Sequence, residues 1–337
     1  MNKLVTVGIP VYKRLNFLPQ ALRSVAAQDY PAIELIVSDN GQNGAKIPEI
    51  VDQYYGRPYR FRQNATTVEC SAHYNQLLNE ASGDYAVFLG DDDEISSNLV
   101  SDLVRLLEKY PDAPVAIPKQ ELMDEGGITF KSSSNDVPEI LSGEEFIRGW
   151  CLYTYRFETF STVLLRTAEA RRYGGYPIMP SANGDENLLM IKLCLGKSIA
   201  LSGNSTVRKR HYETSLGLAC DYQNLVDATK LFMKLVDEDP IIQQFARRHP
   251  DRWAESRELL AKMSWGTCFY RWKDMYRDRL PTLKWMASAF RMPYIQAYYA
   301  AVIPVIMENA KFILFSRAKE LCPWAFKLYR ALKYKSS

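Results

Sequence analysis

Residues 84–96 read DYAVFLGDDDEIS, an apolar run that turns at Gly90 and delivers four acids in a row, Asp91, Asp92, Asp93 and Glu94. Adjacent like charges cost free energy unless an opposite charge offsets them, so a strand end this rich in carboxylates calls for a cation. Hard oxygen ligands on a rigid strand end suit Mg²⁺ or Mn²⁺, above all when a diphosphate supplies the remaining ligands of an octahedron. The competing reading is that Asp93 and Glu94 favour the N-terminus of the following helix through its dipole. That accounts for two acids better than for four.

Upstream, LVTVGIPVY (residues 4–12) and IELIVSD (33–39) are buried-strand patterns, and FLPQALRSVAAQ (17–28) between them sets Leu18, Leu22, Val25 and Ala26 at helical spacing. AHYNQLLNEA (72–81) predicts a helix leading into the strand YAVFL (85–89). SSNLVSDLVRLLEKYPDAP (96–114) predicts a Ser-capped helix with a Leu/Val stripe and a proline stop, and PVAIP (114–118) another strand. This βαβα order implies an α/β fold with a mostly parallel sheet. Ligands of such open sheets sit outside the carboxyl ends of the strands, where Pro10 to Arg14, Ser38 to Gly41 and Gly90 to Glu94 all fall. Tyr12 would stack on a base and Arg14 meet a phosphate, or both would be solvated surface, and Asp39 would accept a hydrogen bond from a base or a ribose. Asp-Asn-Gly at 39–41 is equally a good turn.

Beyond this rhythm, Lys119 to Asp136 is polar and fits a hairpin or mobile loop, and LSGEEFIRGWC (141–151) reads as a short helix with a Ser cap and a Glu three residues on. TFSTVLLRTAEARRYGGYP (159–177) reads as strand, helix and Gly-Gly turn, GDENLLMIKLCL (184–195) as a helix with acids in its first turn, and STVRKRHYETS (205–215) as a strand. Long helical stretches follow Cys220. From Asp251 onward Lys and Arg outnumber Asp and Glu about two to one, with aromatic residues interleaved. The apolar stretch 297–315 is interrupted by Pro304, Glu308, Asn309 and Lys311, so it reads as amphipathic and lying on a membrane surface rather than spanning it.

The chain has 337 residues, with 47% hydrophobic and 24% charged positions, an ordinary folded composition. Its net charge of +3 argues against nucleic acid as a partner. The six cysteines form no C-x-x-C pair, which predicts reduced, buried thiols rather than a disulfide framework or a zinc site. MNKLVTVGIPVYKR lacks the apolar core of a signal peptide, so a cytosolic location is expected.

In their order and spacing these pieces resemble the family 2 inverting glycosyltransferases with the GT-A fold, over roughly residues 1–215. VTVGIPVYKR is similar to the family's opening strand and nucleotide loop, LRSVAAQDYPAIELIVSDNG to its helix, Gln-x-x-Pro turn and uridine-contacting acid, and HYNQLLNEASGDYAVFLGDDDEIS to its Asn helix, Ala-x-Gly turn and DxD site. The resemblance implies a Rossmann-like nucleotide-sugar-binding half over residues 1–118, an acceptor-side half over 119–218 and a helical, membrane-associating region over 219–337. It implies that Pro10, Tyr12, Arg14, Asp39, Asn64 and Asp91 contact the nucleotide, and that Asp92 and Asp93, with His211, hold Mn²⁺ or Mg²⁺ on the donor diphosphate. Gly90 stands where the family often has the first Asp of this site, which makes Asp92 the leading ligand. YGGYPIMPSANGDENLLM is similar to the segment that carries the catalytic base, which falls on Asp185 with Glu186 as the rival, and Gly184 replaces the usual first acid. RKRHYETS is similar to a late element near the diphosphate, which assigns Arg210 and His211 to leaving-group charge. The function so implied is transfer of a sugar from a nucleotide-sugar, expected to be a UDP-sugar, to a glycan or lipid-linked acceptor in bacterial cell-surface polysaccharide synthesis. It would act at the inner face of the cytoplasmic membrane. Two readings compete: a sugar nucleotidyltransferase, which needs a Gly-rich phosphate loop that IPVYKRLNF lacks, and a non-catalytic glycan-binding or membrane scaffold.

Overall fold

The structure is a computed structural model, which describes residues 2–133, 137–155, 157, 160–179, 184–212, 222–275 and 293. It divides into two units, Met1–Leu260 and Ala261–Ser337. The basic, aromatic stretch from 297 on, with its expected membrane contact, lies outside the described residues. Among the described residues no helix is long and apolar enough to cross a membrane.

The first unit begins with the expected alternation. Strand β1 (Val5–Val11) leads through α1 (Leu18–Ala26) to β2 (Ile33–Asp39), then through α2 (Lys46–Tyr54) to β3 (Arg60–Gln63), and α3 (Cys70–Glu80) leads to β4 (Tyr85–Phe88). After the acids come the two-residue β5 (Glu94–Ile95), α4 (Leu99–Lys109) and β6 (Val115–Met123), which turns back as the hairpin strand β7 (Thr129–Ser132). The next elements are β8 (Ile140–Ser142), α5 (Gly143–Cys151), β9 (Leu164–Arg166), α6 (Thr167–Arg172), α7 (Asp185–Cys194) and β10 (Ser198–Arg210). Helices α8 (Tyr222–Glu238), α9 (Pro240–Arg248) and α10 (Pro250–Met275) follow.

Among the described residues the strands form one sheet in the order β3-β2-β1-β4-β9-β6-β10-β5, with β7 on β6 and β8 on β10. Strands β1 to β4 are mutually parallel, β6 runs parallel to β10, and β9 is antiparallel between β4 and β6. Order builds outward from β1 to β3 on one side, then resumes with β4 on the other. The switch point, where the connecting segments diverge and leave a crevice, therefore lies outside the carboxyl ends of β1 and β4.

Alternate residues of β1 explain its burial on both faces. Val5, Val7, Ile9 and Val11 pack into a cluster with Leu18 and Leu22 of α1, Leu35 and Val37 of β2 and Leu103 of α4, all fully buried. On the opposite side of β4, the Phe88 ring meets Tyr74 of α3 edge-on at 5.9 Å and Tyr176 at 6.2 Å. Each such side chain taken from water contributes about 1.5–3 kcal/mol, so two-sided cover fixes β1 and β4 firmly beneath their loops.

Local signals hold with one exception. Helix α5 carries the full capping box, Ser142 and Glu145 each bonding the other's backbone amide. The Ser cap expected for α4 is absent: Asn98 occupies the N-cap and its side chain makes no cap bond. It donates instead to the Asn204 carbonyl. Cys151, Cys194 and Cys268 are free and buried and Cys70 is free and half-buried, while Cys220 and Cys322 lie outside the described residues.

Candidate active site

Three loops meet at the switch point. The Tyr12 amide donates to Asp91 Oδ2 at 3.2 Å, and the Tyr12 carbonyl accepts from Asn43 Nδ2. Gly41 is required at this junction, because a Cβ there would lie 1.9 Å from the Tyr12 carbonyl oxygen. The backbone after β1, the turn after β2 and the acids after β4 are thus held together.

Asp39 is fully buried and organises its own turn. Its Oδ1 accepts from Gly41 N at 2.8 Å and Asn43 Nδ2 at 2.9 Å, and its Oδ2 from Asn43 N at 2.6 Å and Gly44 N at 3.2 Å. Pro10 sits opposite Ser38 in the β1–β2 ladder. Asn64 donates to Asn40 Oδ1 and accepts from Arg62, both at 2.9 Å, and Asn40 in turn clasps both backbone groups of Val68. Beneath them His73 shares a 2.6 Å hydrogen bond with Ser38, and burial, with Arg62 nearby, pushes its pKa down to about 4. This polar layer braces the nucleotide-side loops. Tyr12 itself is 37% exposed and free to meet a ligand face.

The acid loop is anchored by the end of β10. Arg210 is buried; its Nε donates to the Asp92 carbonyl at 3.0 Å, Nη1 to the carbonyls of Asp124 and Glu125, and Nη2 to Glu94 at 2.8 Å, while the guanidinium lies 4.3 Å from the Phe17 ring centre. Arg208 takes the other Glu94 oxygen at 3.0 Å. Asp93 accepts from the Arg210 amide at 2.9 Å and has Lys209 Nζ at 4.0 Å. The Tyr212 hydroxyl donates to Asp92 Oδ2, and the Arg14 guanidinium lies 4.5 Å from the Tyr212 ring centre. His211 turns the other way: its amide bonds Met123 and its exposed ring stands edge-on to Phe130 at 5.9 Å. Arg210 thus braces the acids through their backbone and Glu94.

Three adjacent carboxylates, Asp91, Asp92 and Asp93, are crowded here and partly shut off from solvent. Burial, then the charge of Asp92, pushes Asp91 up to about 8 against the opposing Tyr12 amide, and burial pushes Asp93 up against the opposing charge of Lys209. A divalent cation would relieve that crowding, and the carboxylate oxygens are the hard donors it prefers. Among the described residues no three His, Cys, Asp or Glu side chains gather into a complete metal cage.

A second acidic pair heads α7. Gly184 enters the helix at φ +98°, where an L side chain is strained, and this accounts for glycine where the family pattern has an acid. Asp185 is buried; its Oδ1 accepts from Glu186 N at 2.9 Å and its Oδ2 from Ser71 Oγ at 2.8 Å. Burial, then the Glu186 charge, pushes Asp185 up to about 6. Glu186 accepts from the Phe160 amide at 2.9 Å. Close by, burial and then Asp185 push the Cys70 thiol up to about 12, and the buried Tyr176 hydroxyl has no hydrogen-bond partner. The motif pattern did not single out Ser71, Tyr176 or Tyr212. Ser71 directly precedes the AHYNQLLNEA pattern, and Tyr176 and Tyr212 lie inside two of the quoted motifs.

The glycosyl transferase family 2 model matches residues 6–166. Glycosyltransferase GlyA of Streptococcus pneumoniae is 33% identical over 110 residues, covering 32% of this chain and 15% of that one. The GalNAc(5)-diNAcBac-PP-undecaprenol beta-1,3-glucosyltransferase of Campylobacter jejuni is 31% identical over 114 residues, covering 31% of this chain and 34% of that one. The chain thus spans at most about a third of the length of these curated relatives. S. aureus TarS in complex with UDP-GlcNAc superposes with a TM-score of 0.58 at 16% identity, covering 79% of this chain and 83% of that one, which establishes the GT-A fold. Residues 6–166, laid over the β1–β4 crevice just described, form a glycosyl transferase family 2 domain.

Proposed function

We propose that this protein transfers a sugar, with inversion at the anomeric carbon, from a UDP-sugar to a hydroxyl of a glycan or lipid-linked acceptor in cell-surface polysaccharide synthesis. The observation that carries the reading is Asp185, a buried carboxylate whose affinity for a proton is raised into the range a general base needs near neutral pH. The relative from C. jejuni, named as an undecaprenol-linked glucosyltransferase, supports the acceptor class, and TarS, solved with UDP-GlcNAc, supports the donor class.

On this reading Tyr12, with Asp39, Asn64 and the turn they brace, receives the nucleotide, and Arg14 approaches its phosphates. Asp92, flanked by Asp91 and Asp93, holds Mn²⁺ or Mg²⁺ against the diphosphate, with the exposed His211 within the same loop cluster. Such a cation, when bound, would supply charge neutralisation for the diphosphate leaving group. Asp185 takes the acceptor hydroxyl proton as that oxygen bonds to the anomeric carbon; the bond from carbon to the β-phosphate oxygen breaks and its electron pair leaves with UDP. Glu186, beside it, keeps the base proton-hungry and positions the Phe160 backbone. Arg210 holds the acid loop in register through the step.

Calorimetry with UDP-, GDP- and dTDP-sugars, with and without Mn²⁺, tests the donor site on wild type and Asp92→Ala. Metal-dependent binding of a UDP-sugar, lost in the variant, is expected. Asp185→Asn should keep that binding and lose about 10²–10⁴-fold in transfer. Absence of nucleotide binding under every metal condition would overturn the reading in favour of a scaffold.

A further inference from the structure

We propose that Ser71, in the first turn of α3, is a positioning residue for Asp185, holding one carboxylate oxygen in place and stabilising its ionised form; the catalytic significance of this contact rests on the reading of Asp185 as the base. Ser71 and Asp185 are separated by 114 positions in sequence, yet the serine hydroxyl donates to Oδ2 at 2.8 Å and both residues are buried. Oδ1 is held independently by the Glu186 amide at 2.9 Å.

Geometry makes this bond more than incidental packing. Ser71 is the second residue of α3 and Asp185 the first of α7, so two helix N-termini, each the positive end of a dipole, bring their first turns to one carboxylate. The other groups facing Asp185 work against its charge or are neutral. Glu186 on α7 repels it, and Cys70 and Tyr74 on α3, with Tyr176 after α6, are held protonated by burial. No basic side chain figures among these influences on Asp185. Among the described residues, the hydroxyl of Ser71 is the side-chain donor that favours its ionised form. A base left without it would be protonated over more of the neutral range and free to turn away from the acceptor.

The sign follows directly. A donor to the carboxylate lowers its pKa, so Ser71→Ala raises it and moves the acid limb of the pH–rate profile upward by about one unit. At a pH midway between the old and new values the ionised fraction falls about threefold. Loss of packing alone does not move that limb.

The test is a direct titration of Asp185 in the intact protein, by the carboxyl carbon-13 shift of labelled aspartate assigned with Asp185→Asn, for wild type, Ser71→Ala, Ser71→Thr and Ser71→Cys. The expected result is an Asp185 midpoint about one unit higher in the alanine variant, shifted the same way in the near-isosteric cysteine variant, and restored by threonine. If alanine proves too unstable, the cysteine variant decides. An unchanged midpoint in a folded variant overturns the proposal. The titration needs no substrate, so its failure is distinct from that of the base assignment: Asp185→Asn that transfers sugar normally would remove the base reading while leaving the Ser71 contact as a structural bond.

Discussion

Tyr212 donates its hydroxyl to Oδ2 of Asp92, across 120 positions of sequence, and so ties the segment after β10 to the acid loop after β4. A phenol donating to one oxygen restrains the Asp92 carboxylate. Tyr212→Phe is therefore expected to weaken Mn²⁺-dependent UDP binding by about tenfold, as loss of one charge-assisted hydrogen bond would. Asp92→Ala should abolish that binding. Calorimetry at fixed Mn²⁺ checks both, and equal affinities for Tyr212→Phe and wild type would show that the phenol plays no part in binding.

Arg210 is expected to dominate the stability of the acid loop. It serves three backbone carbonyls and Glu94 from a buried position, so Arg210→Ala strands several acceptors and an acid at once. A loss of about 3–5 kcal/mol in denaturant unfolding is expected. Arg210→Lys, which keeps the charge without the planar fork, should recover only part of it. A change within experimental error for the alanine variant would contradict the bracing role.

Gly41→Ala should act through distance alone. A methyl group 1.9 Å from the Tyr12 carbonyl oxygen cannot be accommodated without parting the β1 and β2 loops. Misplacement of about 1 Å in a site of this kind costs roughly 10²-fold in rate. Steady-state transfer measured beside thermal melting should show activity falling far more than stability, and a variant with normal turnover would mean that the loops need not touch.

Asp91 predicts how stability responds to pH. Its folded pKa, about 8, lies well above the ordinary carboxylate value. The contribution is therefore fully present at pH below the unfolded value and is lost as pH rises through about 8. Metal-free protein should melt progressively lower from pH 5 to 9, and Asp91→Asn should flatten the part of that slope above pH 7, where the lower-lying Asp185 has already ionised. Mn²⁺ with UDP should raise the melting temperature more at pH 8 than at pH 5. An Asp91→Asn profile parallel to wild type would refute this.

The nucleotide half was legible because local chemistry and tertiary role agree there. Residues 33–39 read as a strand and form one with those bounds, and the acids lie at the β4 end where an open sheet binds ligands. Strand β3 escaped notice because RFRQ lacks an apolar rhythm; its polar side chains, Arg62 above all, serve the network around Asn64. The segment STVRKRHYETS announced a strand, but β10 starts seven residues earlier, at Ser198, and ends at Arg210. The role of Arg210 was the hardest to foresee. Its likeness to a late family element assigned it to the diphosphate, whereas only the folded hairpin at Asp124 and Glu125 reveals how many of its donors are already occupied.

Strand β10 also carries an irregularity whose effect is felt far from where it occurs. Between Leu201 and Thr206 it advances five positions while its partner β6 advances two, from Ile117 to Lys119. The surplus is odd, and side chains alternate faces at every step, so the looped segment exchanges which face successive residues address. Ser202 secures it, accepting from the amides of Asn204 and Ser205 and donating to the buried Asp102 of α4. The segment works as a phase adjuster for the whole downstream strand. Gaining or losing a single residue among 202–205 would turn Arg208 and Arg210 away from Glu94 and offer Lys209 in their place, disabling the acid loop with every one of its own residues intact.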